Sequence, residues 1–341
     1  MSEKMRVAMV GVGGFGGARR NTMRETGLFE IVSAYDINPQ ALAHAEEVDG
    51  ARAVGSYEEL LEVPGIEAMV ISTGGKFHTE QALAAMERGL HVFVEKPLCA
   101  TREEALALLE MQRKTERVVV VGHFDHHSDV GATEIKRLIA AGELGTVATF
   151  QMETAHSGGL EIKPGDWRGD PEKNPGGMLF QCGCHALHEL MFLFGPIVRV
   201  SSMMRYDVHT TLTADVAHCL LEFESGLIGT LGAYHVTPYR HSLNIFGTKK
   251  SLYRDLRCPA YGDSSYVALQ ERRRGEAELH VPYPLPSGID HCGAVRNFYR
   301  AVREGVEPYP SLLDGARAVM VVFAAEEAAK TGKTVTIDWE L

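Results

Sequence analysis

Apolar and polar positions alternate in blocks along the first third of the chain. Met5–Val10 is a short apolar run, broken by Gly11–Gly17 and followed by helical composition over Ala18–Thr26. Ile31–Tyr35 is a second apolar, β-branched run ending at Asp36, and Asn38–Val48 then reads as a helix with Asn38 as N-cap and Pro39 at its first position. The pattern recurs with strands at Ala68–Ser72, His91–Val94 and Arg117–Val121, separated by helices at Thr79–Arg88 and Arg102–Lys114. Strands that alternate with helices predict βαβ units and a parallel sheet. Because these strands are apolar throughout, helices are expected to cover both faces. A doubly wound α/β domain over residues 1–122 follows.

Beyond Gly122 the pattern changes. A helix at Thr133–Ala141 precedes strand-like runs at Thr146–Thr154, Ile197–Tyr206, Ala217–Phe223, Leu227–Tyr234, Leu243–Gly247 and Leu252–Asp255, most of them with no helix between. Glu224-Ser225-Gly226 reads as a hairpin turn. Residues 123–341 are therefore expected to form an α+β domain on a large, mainly antiparallel open sheet. It closes with helices over 291–304 and 312–330, the latter started by Ser311 and Asp314 and stopped before Gly332.

Composition narrows the function. At ~150 residues per domain, 341 residues suit two domains. A formal net charge of −11 leaves no basic surplus for nucleic acid. No run approaches the ~18 apolar residues of a membrane span. The N-terminal residues run straight into a strand without a signal-peptide core, and Arg19-Arg20 follows a glycine turn, so it is not a twin-arginine signal. Cys99, Cys182, Cys184, Cys219, Cys258 and Cys292 are scattered and read as reduced thiols. A cytoplasmic location is the expectation.

Three segments carry candidate chemistry. Gly11-Val12-Gly13-Gly14-Phe15-Gly16 is G-x-G-x-x-G between a strand and a helix. There the glycines permit a tight turn and close approach of a pyrophosphate to the main chain at a helix N-terminus. Asp36, twenty residues after Gly16, suits a ribose diol and repels a 2′-phosphate, which favours NAD over NADP. Glu95-Lys96-Pro97 ends a buried strand, where ligand crevices of open α/β sheets lie, and Lys96 there can donate to a substrate oxygen or stand as a solvated strand-end lysine. Met178–Phe194, bounded by glycine and proline, predicts one buried helix with Gln181, His185, and His188 or Glu189 on one face. Cys182, Cys184, His185 and His188, with His123, His126 and His127, are metal-ligand types. Cys182 and Cys184 lie about 200° apart on a helix, so no metal is expected.

These stations, taken in order, resemble the glucose-fructose oxidoreductase / inositol dehydrogenase / MocA (Gfo/Idh/MocA) family. They are GVGGFG, Asp36, ISTGGKFH at 71–78, EKP, GELG at 142–145, DWR at 166–168, GGMLFQCGCHALHE at 176–189, and a closing pattern from Asn297 to Ile337. The resemblance implies an N-terminal Rossmann domain, a C-terminal sheet used to form a homodimer or homotetramer, a nicotinamide cofactor and a sugar- or cyclitol-like substrate. It also implies that Lys96 and His185 are catalytic, and that Ser72, Thr73, His78, Glu95, His123, Trp167 and Arg168 touch the cofactor alongside Gly11, Gly13, Gly14, Phe15, Gly16 and Asp36. Three positions depart from the family pattern: Gln181 stands for an aspartate, Gly74-Gly75 for Pro-Asn, and His123–His127 includes no arginine.

The expected activity is hydride transfer between NAD and a secondary alcohol or ketone of a polyol. His185 would be the base and Lys96 the donor to the oxygen, with His188 or Glu189 supporting His185 where Gln181 can only orient it. Two alternatives stay open on sequence: a redox-neutral glycosidase or lyase that uses bound NAD, and a non-catalytic dinucleotide sensor.

Overall fold

The computed structural model describes residues 3–209, 211–256, 267–277, 280–284 and 290–339. Cys258 lies outside the described residues. The described chain forms two compact units, residues 3–125 with 291–316, and residues 126–290 with 317–339. Sequence reading placed one division at 122/123. The structure instead returns the chain to the first unit at His291, because helix α8 (Gly293–Glu304) carries Ala294, Val295, Phe298 and Tyr299 into that unit's apolar core. The Phe298 ring lies 6.4 Å from Phe29 and 5.8 Å from Phe93.

The first unit is built on β1 (Met5–Val10), β2 (Phe29–Tyr35), β3 (Arg52–Ala53), β4 (Ala68–Ile71), β5 (His91–Val94) and β6 (Val119–Val121). Every neighbouring pair is parallel, in the order β3-β2-β1-β4-β5-β6. All four residues of β4 are buried, as expected of a strand covered on both faces. The order reverses between β1 and β4, which puts the ligand crevice of such a sheet at their carboxyl ends. Crossover helices include α1 (Gly14–Thr26), α2 (Pro39–Asp49), α3 (Tyr57–Leu61), α4 (His78–Glu87) and α5 (Arg102–Thr115). Asn38 caps α2 by accepting from the Gln40 amide, with Pro39 at the first helical position, as the sequence predicts. Helix α1 starts at Gly14, not Ala18, because the end of the glycine motif is itself the first helical turn. The short β3 and α3 have too few apolar positions to show a period, and sequence reading passed over them.

The second unit carries a nine-stranded sheet in the order β14-β13-β12-β11-β7-β10-β9-β8-β15. Its strands are β7 (Val147–Ala155), β8 (Ile197–Arg205), β9 (Val216–Phe223), β10 (Ile228–Tyr234), β11 (Arg240–Gly247), β12 (Lys250–Leu256), β13 (Val267–Arg273), β14 (His280–Pro284) and β15 (Val335–Thr336). Pairing is antiparallel except between β7 and β10, which run parallel at the centre. Gly226, with φ +81°, turns β9 into β10 where Glu224-Ser225-Gly226 predicts a hairpin. Inward residues alternate with outward ones, and Phe150, Phe194 and Phe223 interlock with ring centroids 5.2–5.6 Å apart. Helix α6 (Val130–Ala140) precedes the sheet, and α9 (Leu312–Thr331) begins at a reciprocal Ser311–Asp314 cap, the pair named from sequence.

The predicted helix over Met178–Phe194 is continuous, but its winding is not α throughout. Leu179–Gly183 winds as a π-helix, and α7 (Cys184–Phe194) is α-helical only beyond it. A side chain at 183 would meet Leu179 Cδ1 at 2.7 Å, so glycine permits this wider turn to pack. The four-residue spacing from Gln181 to His185 therefore does not carry the face-sharing of an α-helix across it.

Candidate active site

The first unit contributes a glycine cradle at the carboxyl end of β1. Gly11 has φ +78°, and a Cβ there would lie 2.7 Å from the Ser72 carbonyl, so the turn packs directly on the backbone after β4. A Cβ at Gly16 would lie 2.0 Å from the Gly11 oxygen, so α1 and the turn close on each other only without a side chain. Gly13 is the N-cap of α1, no side chain caps the helix, and its first turn holds no acidic residue. The helix thus offers uncapped N–H groups and its positive dipole end to an anion. Gly14 has open space around it and Phe15 is 60% exposed.

Asp36 stands at the end of β2 and organises this turn. Its Oδ2 accepts from the amides of Val12 (2.7 Å) and Gly13 (3.0 Å), and its Oδ1 accepts from Asn38 (2.8 Å). Two donors already occupy Oδ2, while Oδ1, with one, keeps acceptor capacity for a hydroxyl, and the carboxylate charge opposes a phosphate. An uncapped helix start, a turn with no room for a side chain at Gly11 or Gly16 and an acid at the end of β2 fit the pyrophosphate and ribose of NAD.

Lys96 follows β5 and is half-buried, joined to Pro97 by a cis peptide bond. Ser72 and Thr73 are half-buried after β4, and the Thr73 hydroxyl donates to Gln81 Oε1 at 2.7 Å. His78 and Glu95 were expected at the cofactor, yet they are 1% and 4% exposed. The His78 ring lies between the carbonyls of Pro97 (2.8 Å from Nδ1) and Thr73 (3.0 Å from Nε2), to one of which a neutral imidazole donates, and Glu95 pairs with Arg19. Burial holds the His78 imidazole below its ordinary pKa. His123 is also buried.

In the second unit, His185 is half-buried near the start of α7, and Gln181 and Cys182 are half-buried in the π turn. His156 Nδ1 accepts from the Gly158 amide at 2.9 Å, which leaves Nε2 facing Cys182 Sγ at 3.3 Å. His188 and Glu189 are buried. Glu189 Oε1 lies 2.5 Å from Arg254 Nη2, and its Oε2 lies 3.6 Å from His241 Nε2. Burial alone would raise the Glu189 pKa, but the Arg254 charge and His241 outweigh it and hold Glu189 well below the carboxylate range. The His126 ring lies 4.9 Å from the His188 ring, and burial, with His188 and Arg254 beside it, brings His126 down to about 3. The structure thus brings Glu189 and His188 into a buried network of charged and imidazole groups with His126, His241 and Arg254. Trp167 and Arg168 share a 3-10 turn, the guanidinium 4.8 Å from the indole, and Asn174 and Thr213 hold the Arg168 carbonyl. Among the described residues no group of three or more His, Cys, Asp or Glu is arranged to hold a metal, and no helix is long and apolar enough to cross a membrane.

Sequence reading missed Arg19, Arg254, His241 and the burial of His126. For Arg19 a signal existed: Gly16, Arg19, Arg20 and Met23 are the buried stripe of α1, and arginine on such a stripe requires a partner. Arg254 and His241 sit on sheet strands whose neighbours are set by long-range pairing, which no local pattern reveals.

Comparison with known proteins agrees with this architecture. Residues 5–123 match the model of an oxidoreductase family with an NAD-binding Rossmann fold (GFO_IDH_MocA), and residues 132–253 match the C-terminal domain model of the same family. A scyllo-inositol 2-dehydrogenase (NAD(+)) of Bacillus subtilis (strain 168) is 27% identical over 82% of this chain and 80% of its own length. Inositol 2-dehydrogenase 3 of Saccharopolyspora erythraea is 26% identical over 98% of this chain and 95% of its own. An oxidoreductase structure from Desulfitobacterium hafniense, named for NADPH, superposes with a TM-score of 0.90 at 25% identity, covering 98% of each chain. With both of its domain models matched in order across more than half of its length, the chain belongs to the GFO/IDH/MocA family of NAD-binding oxidoreductases.

Proposed function

We propose that this protein is an NAD-dependent dehydrogenase that interconverts a secondary alcohol of a cyclitol or sugar and the corresponding ketone. The observation that carries the reading is the uncapped, acid-free start of α1 inside a glycine turn fastened by Asp36. Bound NAD supplies the hydride acceptor. Gly11, Gly13, Gly14, Phe15 and Gly16 hold its pyrophosphate and Asp36 its ribose, with Ser72, Thr73, Trp167 and Arg168 as further contacts. His185 takes the hydroxyl proton as the carbonyl forms. The Lys96 ammonium donates to the same oxygen and stabilises the charge that develops on it. In the direction of reduction His185 returns the proton.

Glu189 supports His185 indirectly, by fixing α7 to β12 through Arg254, and this takes the place of the aspartate that Gln181 replaces. The relatives compared are named as dehydrogenases or an oxidoreductase, so a net redox reaction is the reading adopted over a redox-neutral or sensing one. Outward residues Met203, Leu220 and Ile228 are 83%, 48% and 45% exposed on neighbouring strands of the second sheet, and this face is proposed to join copies of the chain into a homo-oligomer. A reducing cytoplasm suits Cys99 and Cys219, buried thiols that form no disulfide.

The test is a panel of inositols, aldoses and sugar acids with NAD or NADP, followed by NADH or NADPH absorbance. NADH formation with at least one polyol is expected. Tight NAD binding with no turnover on any polyol or ketose would contradict the reading.

A further inference from the structure

The two chain neighbours of Lys96 are each fastened by a side chain from elsewhere in the first unit. On one side, Glu95 Oε1 accepts from Arg19 Nε at 2.7 Å, with side-chain exposures of 5% and 7%. The Arg19 guanidinium also lies 4.6 Å from the Phe93 ring centroid. A Cβ at Gly122 would be 2.4 Å from Glu95 Oε2, so the carboxylate is packed against the Gly122 backbone as well. On the other side, the Pro97 carbonyl faces His78 Nδ1 at 2.8 Å, and Nε2 of that ring faces the Thr73 carbonyl at 3.0 Å. Leu98 and Cys99, next in the chain, are fully buried. Lys96 alone in this stretch of Glu95–Cys99 keeps solvent access.

Lysine has a flexible four-carbon stem, so its ammonium is only as well placed as the backbone that carries it. A displacement of about 1 Å in a reacting group costs on the order of 100-fold in rate. Arg19 stands on α1, which opens in the glycine turn, and His78 begins α4, just after the Ser72-Thr73 segment.

We propose that Arg19 and His78 are positioning residues for Lys96. Arg19 acts through the Glu95 carboxylate and His78 through the Pro97 carbonyl, and together they tie Lys96 to the two segments that border the glycine cradle. This rests on the reading of Lys96 as the donor to the substrate oxygen. It reassigns His78 and Glu95 from touching the cofactor to holding the lysine from behind.

The experiment compares four variants with the wild-type enzyme: Lys96→Met, His78→Gln, Arg19→Lys, and the double variant Arg19→Met/Glu95→Gln. The double variant removes both charges, so neither is left buried and unpaired. Read-outs are kcat, KM for NAD and for the alcohol, NAD affinity and the thermal midpoint. The double variant and His78→Gln are expected to fold, to keep KM for NAD within about threefold, and to lose about 10- to 100-fold in kcat. Arg19→Lys, which keeps the charge opposite Glu95, should recover most of kcat. Wild-type kcat in the folded double variant and in His78→Gln overturns the proposal. So does a loss that disappears once activity is scaled to the folded, NAD-binding fraction, or Arg19→Lys falling as far as the double variant. If the double variant does not fold, His78→Gln and Arg19→Lys decide by the same criteria. Wild-type turnover by Lys96→Met is a separate result: it removes Lys96 from the reaction, and the positioning role falls with it.

Discussion

Glu189 on α7 and Arg254 on β12 form a buried ion pair, with side-chain exposures of 5% and 3%, that fastens the helix carrying His185 to its sheet. Removing one member leaves the other charged and buried. Glu189→Ala should therefore destabilise the protein by about 3–5 kcal/mol, and a paired Glu189→Gln/Arg254→Met change by much less. Denaturant unfolding of the two variants checks this; equal losses would mean the pair is not the cause.

Acid stability follows from His126. Its folded value of about 3 lies below the ordinary 6.5, so between those values the unfolded chain binds the extra proton. Stability from this group is full above about pH 6.5 and declines as pH falls toward 3, by up to roughly 1.4 kcal/mol per unit. His126→Phe, against the neighbouring Phe192 ring, should flatten that decline. It should not abolish it, because burial also lowers His78 and His235. Glu189 acts lower: its stabilisation is complete above the ordinary carboxylate pKa and is lost only as pH falls below it. Unfolding free energies measured from pH 7 to 4 test the sign and the variant.

Gly16 tolerates no side chain, since a Cβ would stand 2.0 Å from the Gly11 oxygen. Gly16→Ala should cost about 1–3 kcal/mol and weaken NAD binding with it, because relief requires opening the turn proposed to hold the pyrophosphate. Thermal unfolding with and without NAD reads both effects. An unchanged NAD affinity would show that the cradle is not the binding surface.

Asp36 has two roles that one substitution separates. It accepts from the Val12 and Gly13 amides, so Asp36→Ala should destabilise the apo protein by about 1–3 kcal/mol. On the proposed reading it also carries the charge that would reject a 2′-phosphate, so the ratio of kcat/KM for NADP to that for NAD should rise by about tenfold or more, equivalent to ~1.4 kcal/mol. The ratio is the decisive quantity, and a fall in it contradicts the assignment.

Much of this was legible in the sequence because it is local. The glycine turn, the Asn38-Pro39 and Ser311–Asp314 caps and the fully apolar strands each depend on residues within a few positions of one another, so periodicity and capping chemistry expose them. What was not legible depends on long-range partners. The return of α8 to the first core needed Phe29 and Phe93 as partners. The π turn at Leu179–Gly183 breaks helical arithmetic without changing composition. His78 and Glu95 are buried, and the contacts of the His78 ring with the Pro97 carbonyl and of Glu95 Oε1 with Arg19 join residues 19 and 76 positions apart, which no local pattern reveals.

The central claim is that Lys96 and His185 carry the proton and charge of alcohol oxidation on NAD. Single-turnover NADH formation by Lys96→Met and His185→Asn, with NAD binding measured on the same samples, tests it most directly. The account predicts NAD affinity near wild type, with the rate of NADH formation reduced by about 100-fold or more in each. Wild-type rates in either variant would contradict it.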